Sequence, residues 1–318
     1  MKIRHRLPIC LLVLLFLTAC AAPRAESPMP LQTSAPGLPQ DDGGLPTLQV
    51  YIVDESTIVP MDIETYICGV VAGEMKNDWP LEALRAQAIL ARTFVLKFVS
   101  EKESRYEGAD ISTDIKEAQA YNAEAVNDRI RNAVFSTAGQ VLLQADGALP
   151  YTWFHAHSGG KTALAREALD WQQAEPAYTL ITDGMDSPDA PESAQEWEAE
   201  FTQEDFLAAC RQCGVSISSV RNLRIKEKGD SGRAVTLEVD GQEINAARLR
   251  IALGSMDMRS TLLTELAASD GVVRMAGKGY GHGVGMPQWG AYALAQDGWT
   301  GEEIALHYYN GLSLTSLW

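Results

Sequence analysis

Pro80 is followed by Leu81, Leu84, Ala88, Ala91, Val95 and Phe98, apolar residues that recur at three- and four-residue spacing. That period puts them on one side of a long helix, and Pro80 is well suited to its first position. So long an apolar stripe has to be buried against other elements of the fold. Just upstream, Asp62 can cap a helix through Glu64 to Ala72, and the chain turns around Asn77-Asp78. Leu48 to Val53 alternates apolar and polar residues and reads as a strand. Residues 129–143 and 150–155 read as strands or short helices that bring Phe154 and His155 to a loop. Arg221–Glu227 and Ala234–Val239, joined across Gly229-Asp230-Ser231-Gly232, predict a β-hairpin. Gly277 to Gly290 reads as a glycine-rich loop, followed by helices over Tyr292–Gln296 and Glu302–Tyr308. The expected class is α+β, a single mixed domain over residues 47–318 whose cleft is formed by a helix end and glycine-rich loops.

The segment before this domain reads as an address. Lys2, Arg4 and Arg6 precede an apolar run from Leu7 to Leu17, and Leu17-Thr18-Ala19-Cys20 closes it with small residues. Leu-x-Ala-Cys at this place resembles the bacterial lipobox, in which the cysteine is acylated and becomes the mature N-terminus. An uncleaved membrane anchor is the other reading, but the run offers only about 14 apolar residues against the ~20 a span needs. The expectation is a lipoprotein signal peptide over residues 1–19, lipidation at Cys20 and an extracytoplasmic protein tethered to the membrane through lipid. Residues 20–46 are rich in Pro, Ala, Ser and Gly without a hydrophobic period, which predicts a disordered spacer.

The formal net charge of −16 argues against a nucleic-acid backbone as partner. Beyond Cys10 and Cys20 there are Cys68, Cys210 and Cys213, an odd number for a disulfide framework. Cys210-Arg-Gln-Cys213 has redox or metal spacing, yet no second such pair accompanies it; two half-buried helix cysteines or an incidental disulfide account for it more simply.

Three segments carry chemistry. In Gly69-Val-Val-Ala-Gly-Glu74-Met75 an acid follows an apolar, small-residue helix. Desolvation there would raise its pKa and keep a proton on it near neutrality, as a general acid requires; a solvated helix-end carboxylate is the plainer reading. In Phe154-His155-Ala156-His157-Ser158-Gly159-Gly160-Lys161-Thr162 the two histidines point to opposite faces if the stretch is extended, so they are poor co-ligands of one metal. No Gly-x-Ser-x-Gly elbow surrounds Ser158, and for His157 a hydrogen-bonded loop shaping a cleft is the simpler role. In the third segment, Gly277-Lys-Gly-Tyr-Gly-His282-Gly-Val-Gly-Met286-Pro-Gln288-Trp289-Gly290-Ala-Tyr292, the glycines let backbone approach a substrate closely. Gln288, Trp289 and Tyr292 add hydrogen bonding and flat aromatic faces that suit pyranose rings.

Tyr66-Ile-Cys-Gly-Val-Val-Ala-Gly-Glu-Met, then Trp79-Pro-Leu-Glu-Ala-Leu-Arg-Ala-Gln-Ala and Ala91-Arg-Thr, resembles the opening motif of the stage II sporulation protein D family, which includes the amidase-enhancer proteins. The resemblance continues through His155-x-x-Ser-Gly-Gly-x-Thr, Ser231-Gly-Arg233, Gly281-His-Gly-Val-Gly-Met-x-Gln and His307-Tyr-Tyr, in order, over roughly residues 48–318. It implies a peptidoglycan lytic transglycosylase with Glu74 as catalytic acid and base. Such an enzyme cleaves between N-acetylmuramic acid and N-acetylglucosamine on peptide-stripped glycan and leaves 1,6-anhydro ends. His155, Ser158, Thr162, His282 and Gln288 fall on matching motif positions and would line the cleft, with Trp289 and Tyr292 beside them. The implied partners are glycan strands, a cell-wall amidase and other sporulation wall hydrolases, with no nucleic acid and no cofactor.

This sequence also departs from the family pattern. Some members bind zinc near the His-Ser-Gly-Gly element, but this chain has no cysteine between 69 and 209, so no metal site is expected. Pro287 stands where Ser is usual, Trp289 where Tyr is usual, and Met256-Asp-Met-Arg259 replaces a Leu-Arg-Ser stretch. A non-catalytic glycan-binding amidase enhancer is one alternative. A hydrolase with a second acid, drawn from Asp62, Asp78 or Asp114, is another.

Overall fold

Asp62 starts the first helix as its side chain predicts. In the computed structural model, which describes residues 37–318, its carboxylate accepts the Thr65 N–H at 2.9 Å. The predicted signal peptide, Cys20 and most of the spacer lie outside the described residues. Asp41 closes a turn by accepting the N–H groups of Gly43 and Leu45 at 2.9 and 2.8 Å, and the chain enters β1 (Thr47–Ile52), antiparallel to β2 (Thr57–Asp62). α1 (Ile63–Glu74) follows directly and is buried almost all round, so it is a central helix with no solvent face to spare.

α2 (Leu81–Glu101) carries the apolar stripe, with Leu84, Ala88, Ala91 and Val95 fully buried. Two charged residues also lie inside: Arg92 of α2 and Glu64 of α1, each fully buried and paired at 2.5 Å. The pair is satisfied further, since Glu64 accepts from Gly139 N–H at 3.0 Å and Trp318 Nε1 at 3.2 Å, while Arg92 donates to the Gln140 and Val134 carbonyls at 3.0 and 3.2 Å. Removing either partner would strand a buried charge, which typically costs about 3–5 kcal/mol. This hub fixes α1 against α2 and so fixes where the far end of α1 points.

β3 (Ile111–Ser112) lies parallel to β1, giving a three-stranded sheet in the order β2-β1-β3. α3 (Asp128–Phe135), β4 (Gln140–Leu143) and β5 (Phe154–His155) come next, resolving the choice between strand and helix for residues 129–155. After the single turn α4 (Ala165–Ala168) and α5 (Glu192–Gln195), the chain builds a second layer. That layer comprises β6 (Glu196–Thr202), α6 (Gln203–Gln212), β7 (Leu223–Lys228), β8 (Ala234–Val239), β9 (Gln242–Asn245) and α7 (Ala246–Leu253). The predicted hairpin is β7–β8, extended by β9. β10 (Leu263–Ser269) and β11 (Val272–Lys278) pair antiparallel, with β6 on the other edge of β11.

Gly277 and Lys278 therefore belong to a strand, and the glycine-rich loop begins after them. It ends at β12 (Met286–Pro287), which runs parallel to β5 and matches Pro287 with His155. α8 (Gln288–Gln296) starts four residues earlier than expected, with Pro287 as its N-cap. α9 (Gly301–His307) and β13 (Ser313–Ser316), antiparallel to β4, complete the chain. The fold is mixed α and β, with several small sheets and two hydrophobic cores. One core is built on α1, α2, α8 and α9; the other, around Trp197, Phe206, Leu237 and Met275, lies within the second layer. None of the described helices is long and apolar enough to cross a membrane.

Candidate active site

Glu74 is the last residue of α1. Gly73 lets the chain at 120–121 lie against this helix end: a Cβ at Gly73 would sit 2.7 Å from the Tyr121 main-chain nitrogen. The close approach brings the Ala120 N–H to Glu74 Oε1 at 2.7 Å. On the other side, Gln288 Nε2 donates to the Glu74 carbonyl at 3.1 Å, tying α8 to the same spot. Burial pushes the Glu74 carboxyl up to about 7, against the opposing pull of the Ala120 N–H and the Gln288 amide. The negative end of the α1 dipole acts in the same direction as burial.

The carboxyl opens on a cleft of about 310 Å³ whose walls include Phe94, Gln119, Trp153, His155, Tyr280, His282 and Gln288. Glu74 is the one carboxylate among the described residues in this wall. Asp62 caps the opposite end of the 12-residue α1, roughly 18 Å away at about 1.5 Å per residue. Asp78 lines a different hollow. Asp114 is held in a turn by the Lys116 N–H at 2.9 Å and the Tyr106 hydroxyl at 3.2 Å. None of the three second-acid candidates reaches the cleft.

His155 is buried, with Nδ1 3.2 Å from the Val284 carbonyl. Nδ1 must then carry the hydrogen, leaving Nε2 as an acceptor, and this buried atom has no partner in the protein. His282, partly exposed, accepts the Val284 N–H on its own Nδ1 at 3.0 Å, and the two rings lie 5.6 Å apart. Both are neutral near pH 7: burial, His282 and Arg233 hold His155 well below the ordinary value, and burial with Arg250 and Arg233 drives His282 down to about 3.

Ser158 and Thr162 are fully buried and sit outside the cleft wall. The Ser158 N–H donates to Asp186 Oδ1 at 3.0 Å, its hydroxyl also bonds Asp186, and its carbonyl accepts Arg233 Nη2 at 2.6 Å. Thr162 Oγ1 donates to the Leu180 carbonyl at 2.6 Å and accepts the Thr182 N–H at 2.9 Å. His157 accepts the Gly159 N–H at 3.0 Å. These residues frame the loop that carries His155. Trp289 and Tyr292 do not line this cleft; they pack on Trp79 at 4.6 and 5.2 Å beside a separate hollow of about 370 Å³.

Gln119 is a site residue that sequence reasoning missed. It is 4 % exposed, lines the cleft beside Glu74, and neither amide atom has a hydrogen-bond partner. Buried amides are almost always paired, which makes this one a candidate contact for a molecule in the cleft, and nothing in its sequence context marks it. The described residues contain no cluster of three or more His, Cys, Asp or Glu able to hold a metal, and Cys210 and Cys213 are free thiols outside the cleft.

A further wall of aromatic rings adjoins the cleft through Phe94 and Trp153, where Tyr151, Trp171 and Tyr178 surround a hollow with Lys97 and Lys102. Tyr151 stacks on Trp153 at 5.4 Å.

A family model described as stage II sporulation protein matches residues 53–143, and one described as a domain of unknown function matches residues 149–285. An uncharacterized protein of Brachyspira hyodysenteriae is 30 % identical over 255 residues, covering 80 % of this chain and 67 % of that one. Stage II sporulation protein D of Bacillus amyloliquefaciens is 28 % identical over 334 residues, covering 96 % and 93 %. The amidase enhancer of Bacillus subtilis is 25 % identical over 295 residues, covering 78 % of this chain and 40 % of the enhancer. This chain belongs to the stage II sporulation protein D family.

Proposed function

We propose that this chain is a peptidoglycan lytic transglycosylase. The observation that carries the reading is a cleft with a single carboxyl, held protonated close to neutrality. A carboxyl of that kind can give its proton to the glycosidic oxygen as the C1–O bond of the muramic residue breaks. As a carboxylate it then takes the proton of the C6 hydroxyl, whose oxygen bonds to C1 and closes a 1,6-anhydro ring. Glu74 ends as it began and no water is consumed, so one acid suffices where ordinary glycoside hydrolysis uses two. His155 Nε2, an unpaired acceptor, and the Gln119 amide, with donor and acceptor both free, suit sugar hydroxyl and acetamido groups. Phe94, Trp153 and the neighbouring aromatic wall suit the apolar faces of pyranose rings. The same reading places the protein outside the cytoplasm on a lipid attached to Cys20, working in cell-wall remodelling alongside an amidase that strips stem peptides.

Mass spectrometry of products from peptide-stripped glycan tests the activity. Anhydro ends, lighter by one water than hydrolysis products, are expected. Reducing ends would sink the one-acid mechanism. The name of the amidase-enhancer relative favours a second reading, a glycan-binding module without catalysis. That reading predicts intact glycan with the wild-type protein and binding unchanged by Glu74→Gln.

A further inference from the structure

Arg250, on α7, is 9 % exposed and has no carboxylate partner among the described residues. Its one hydrogen bond runs from Nε to the Arg259 carbonyl at 3.0 Å, leaving both terminal nitrogens without an acceptor. The other buried arginines are compensated: Arg92 by Glu64, and Arg233 by the Ser158 and Lys161 carbonyls at 2.6 and 2.9 Å with Glu167 and Asp186 nearby. A guanidinium cannot shed its charge near neutrality, and one that is largely desolvated with its terminal nitrogens open only to a hollow is stabilised by a counter-charge arriving from outside.

Arg250 lines a hollow of about 480 Å³ with Leu169, Cys213, Ala247, Ile251 and His282, and the one carboxylate in that wall, Asp170, is already paired with Arg248. His282 also lines the cleft, so the two spaces share a wall. Burial lowers even the Arg250 pKa, to about 10, with only the Tyr280 phenol opposing it. The remaining walls are mostly apolar, which strengthens any ion pair formed there.

We infer that Arg250 receives a carboxylate of the strand bound in the cleft, through the fork of its two free terminal nitrogens. This rests on the glycan reading of the cleft. On a glycan strand the carboxylate belonging to the sugar itself is the lactyl group of muramic acid, free once its stem peptide is gone; the carboxylates of an intact stem peptide are the other source. An acidic protein thereby holds an acidic polymer at one desolvated point rather than by a basic surface.

The test is calorimetric binding by the full chain, in a Glu74→Gln background so that glycan stays intact. Three glycans of equal length are compared: stripped with free lactyl carboxylates, stripped with those groups converted to methylamides, and peptide-bearing. Free carboxylates should bind about 10–100-fold more tightly than the methylamides, the range of a charge-assisted bidentate pair. Arg250→Gln should erase that preference, and Arg250→Lys, which keeps the charge without the fork, should keep part of it. Tighter binding of peptide-bearing glycan would place the carboxylate on the stem peptide. Equal binding of all three, or a folded Arg250→Gln variant that keeps the preference, overturns the proposal. If Arg250→Gln does not fold, the methylamide comparison and Arg250→Lys still decide. Cleavage by Glu74-intact protein is scored separately: selective binding without products refutes only the transglycosylase reading, and cleavage without carboxylate preference refutes only this one.

Discussion

Replacing Glu74 by Gln should stabilise the folded protein above neutral pH, although it removes the proposed catalytic group. The carboxyl's pKa rises from an ordinary 4.5 to about 7 in the fold, chiefly through burial. Below pH ~4.5 the group is protonated whether the chain is folded or not and has no effect on the balance. Between that value and about 7 the folded state holds the proton more tightly than the unfolded one, so stability falls as pH rises. At about 1.4 kcal/mol per pKa unit the full loss is on the order of 3 kcal/mol by pH 8. Gln keeps an oxygen to accept the Ala120 N–H and carries no charge to desolvate, so it escapes this loss. Urea unfolding of both proteins at pH 4.5, 6 and 8 gives the check. The advantage of Gln should be near zero at the lowest pH and about 2–3 kcal/mol at the highest, or about 3–5 °C in Tm for a protein of this size. His155 and His282 act in the opposite sense, costing stability as pH falls below about 6.5, but they are common to both proteins and cancel. Parallel stability curves for the two proteins would refute the claim that Glu74 is buried at the cost of its charge.

Activity on stripped glycan should decline as pH rises through about 7, where Glu74 loses its proton, and a pH–rate profile flat to pH 9 would exclude it as the acid. Arg92→Met should destabilise by about 3–5 kcal/mol, read by urea unfolding, because it strands Glu64 in the core. Gly283→Ala should cost about 2–4 kcal/mol, since its φ is +90° and the new Cβ would lie 2.4 Å from Arg233 Cζ; an unchanged melting temperature would show that the loop relaxes freely. Cys20→Ala should abolish lipid labelling and release the protein from the membrane fraction.

Much of the frame could be read from residue pattern. Asp62 announced α1, the Leu81–Phe98 stripe announced α2, and the turn at 229–232 announced β7–β8, because each is a local signal with a local cause. Glu74 was visible as an acid after a small-residue helix, but the group that holds it, the Ala120 N–H, comes from a loop 46 residues on. The glycine-rich segment suggested backbone approaching a substrate. Gly281 does line the cleft, and both it and Gly283 also lie so close to His155 and Arg233 that a side chain at either would clash, so these glycines serve the packing of the loop as well. Ser158 and Thr162 sit in the expected motif, yet their hydroxyls are turned into the loop frame, a direction that spacing does not encode. Gln119 and Arg250 were invisible for a different reason: what marks them is burial without a partner, and neither burial nor partnership exists until the chain has folded.

β5 and β12 make a parallel pair only two residues long, between Phe154–His155 and Met286–Pro287. That pair brings together one wall of a cleft whose polar groups come from positions 74, 119, 155 and 282. Contacts so distant along the chain incur a large loop-closure entropy and form late. The cleft is thus a product of completed folding: a chain cut short before residue 286 would carry Glu74 without the opposing wall. If the proposed glycan cleavage is its activity, the protein acquires that capacity only after its last long-range contacts close, which builds a delay between synthesis and activity into topology alone.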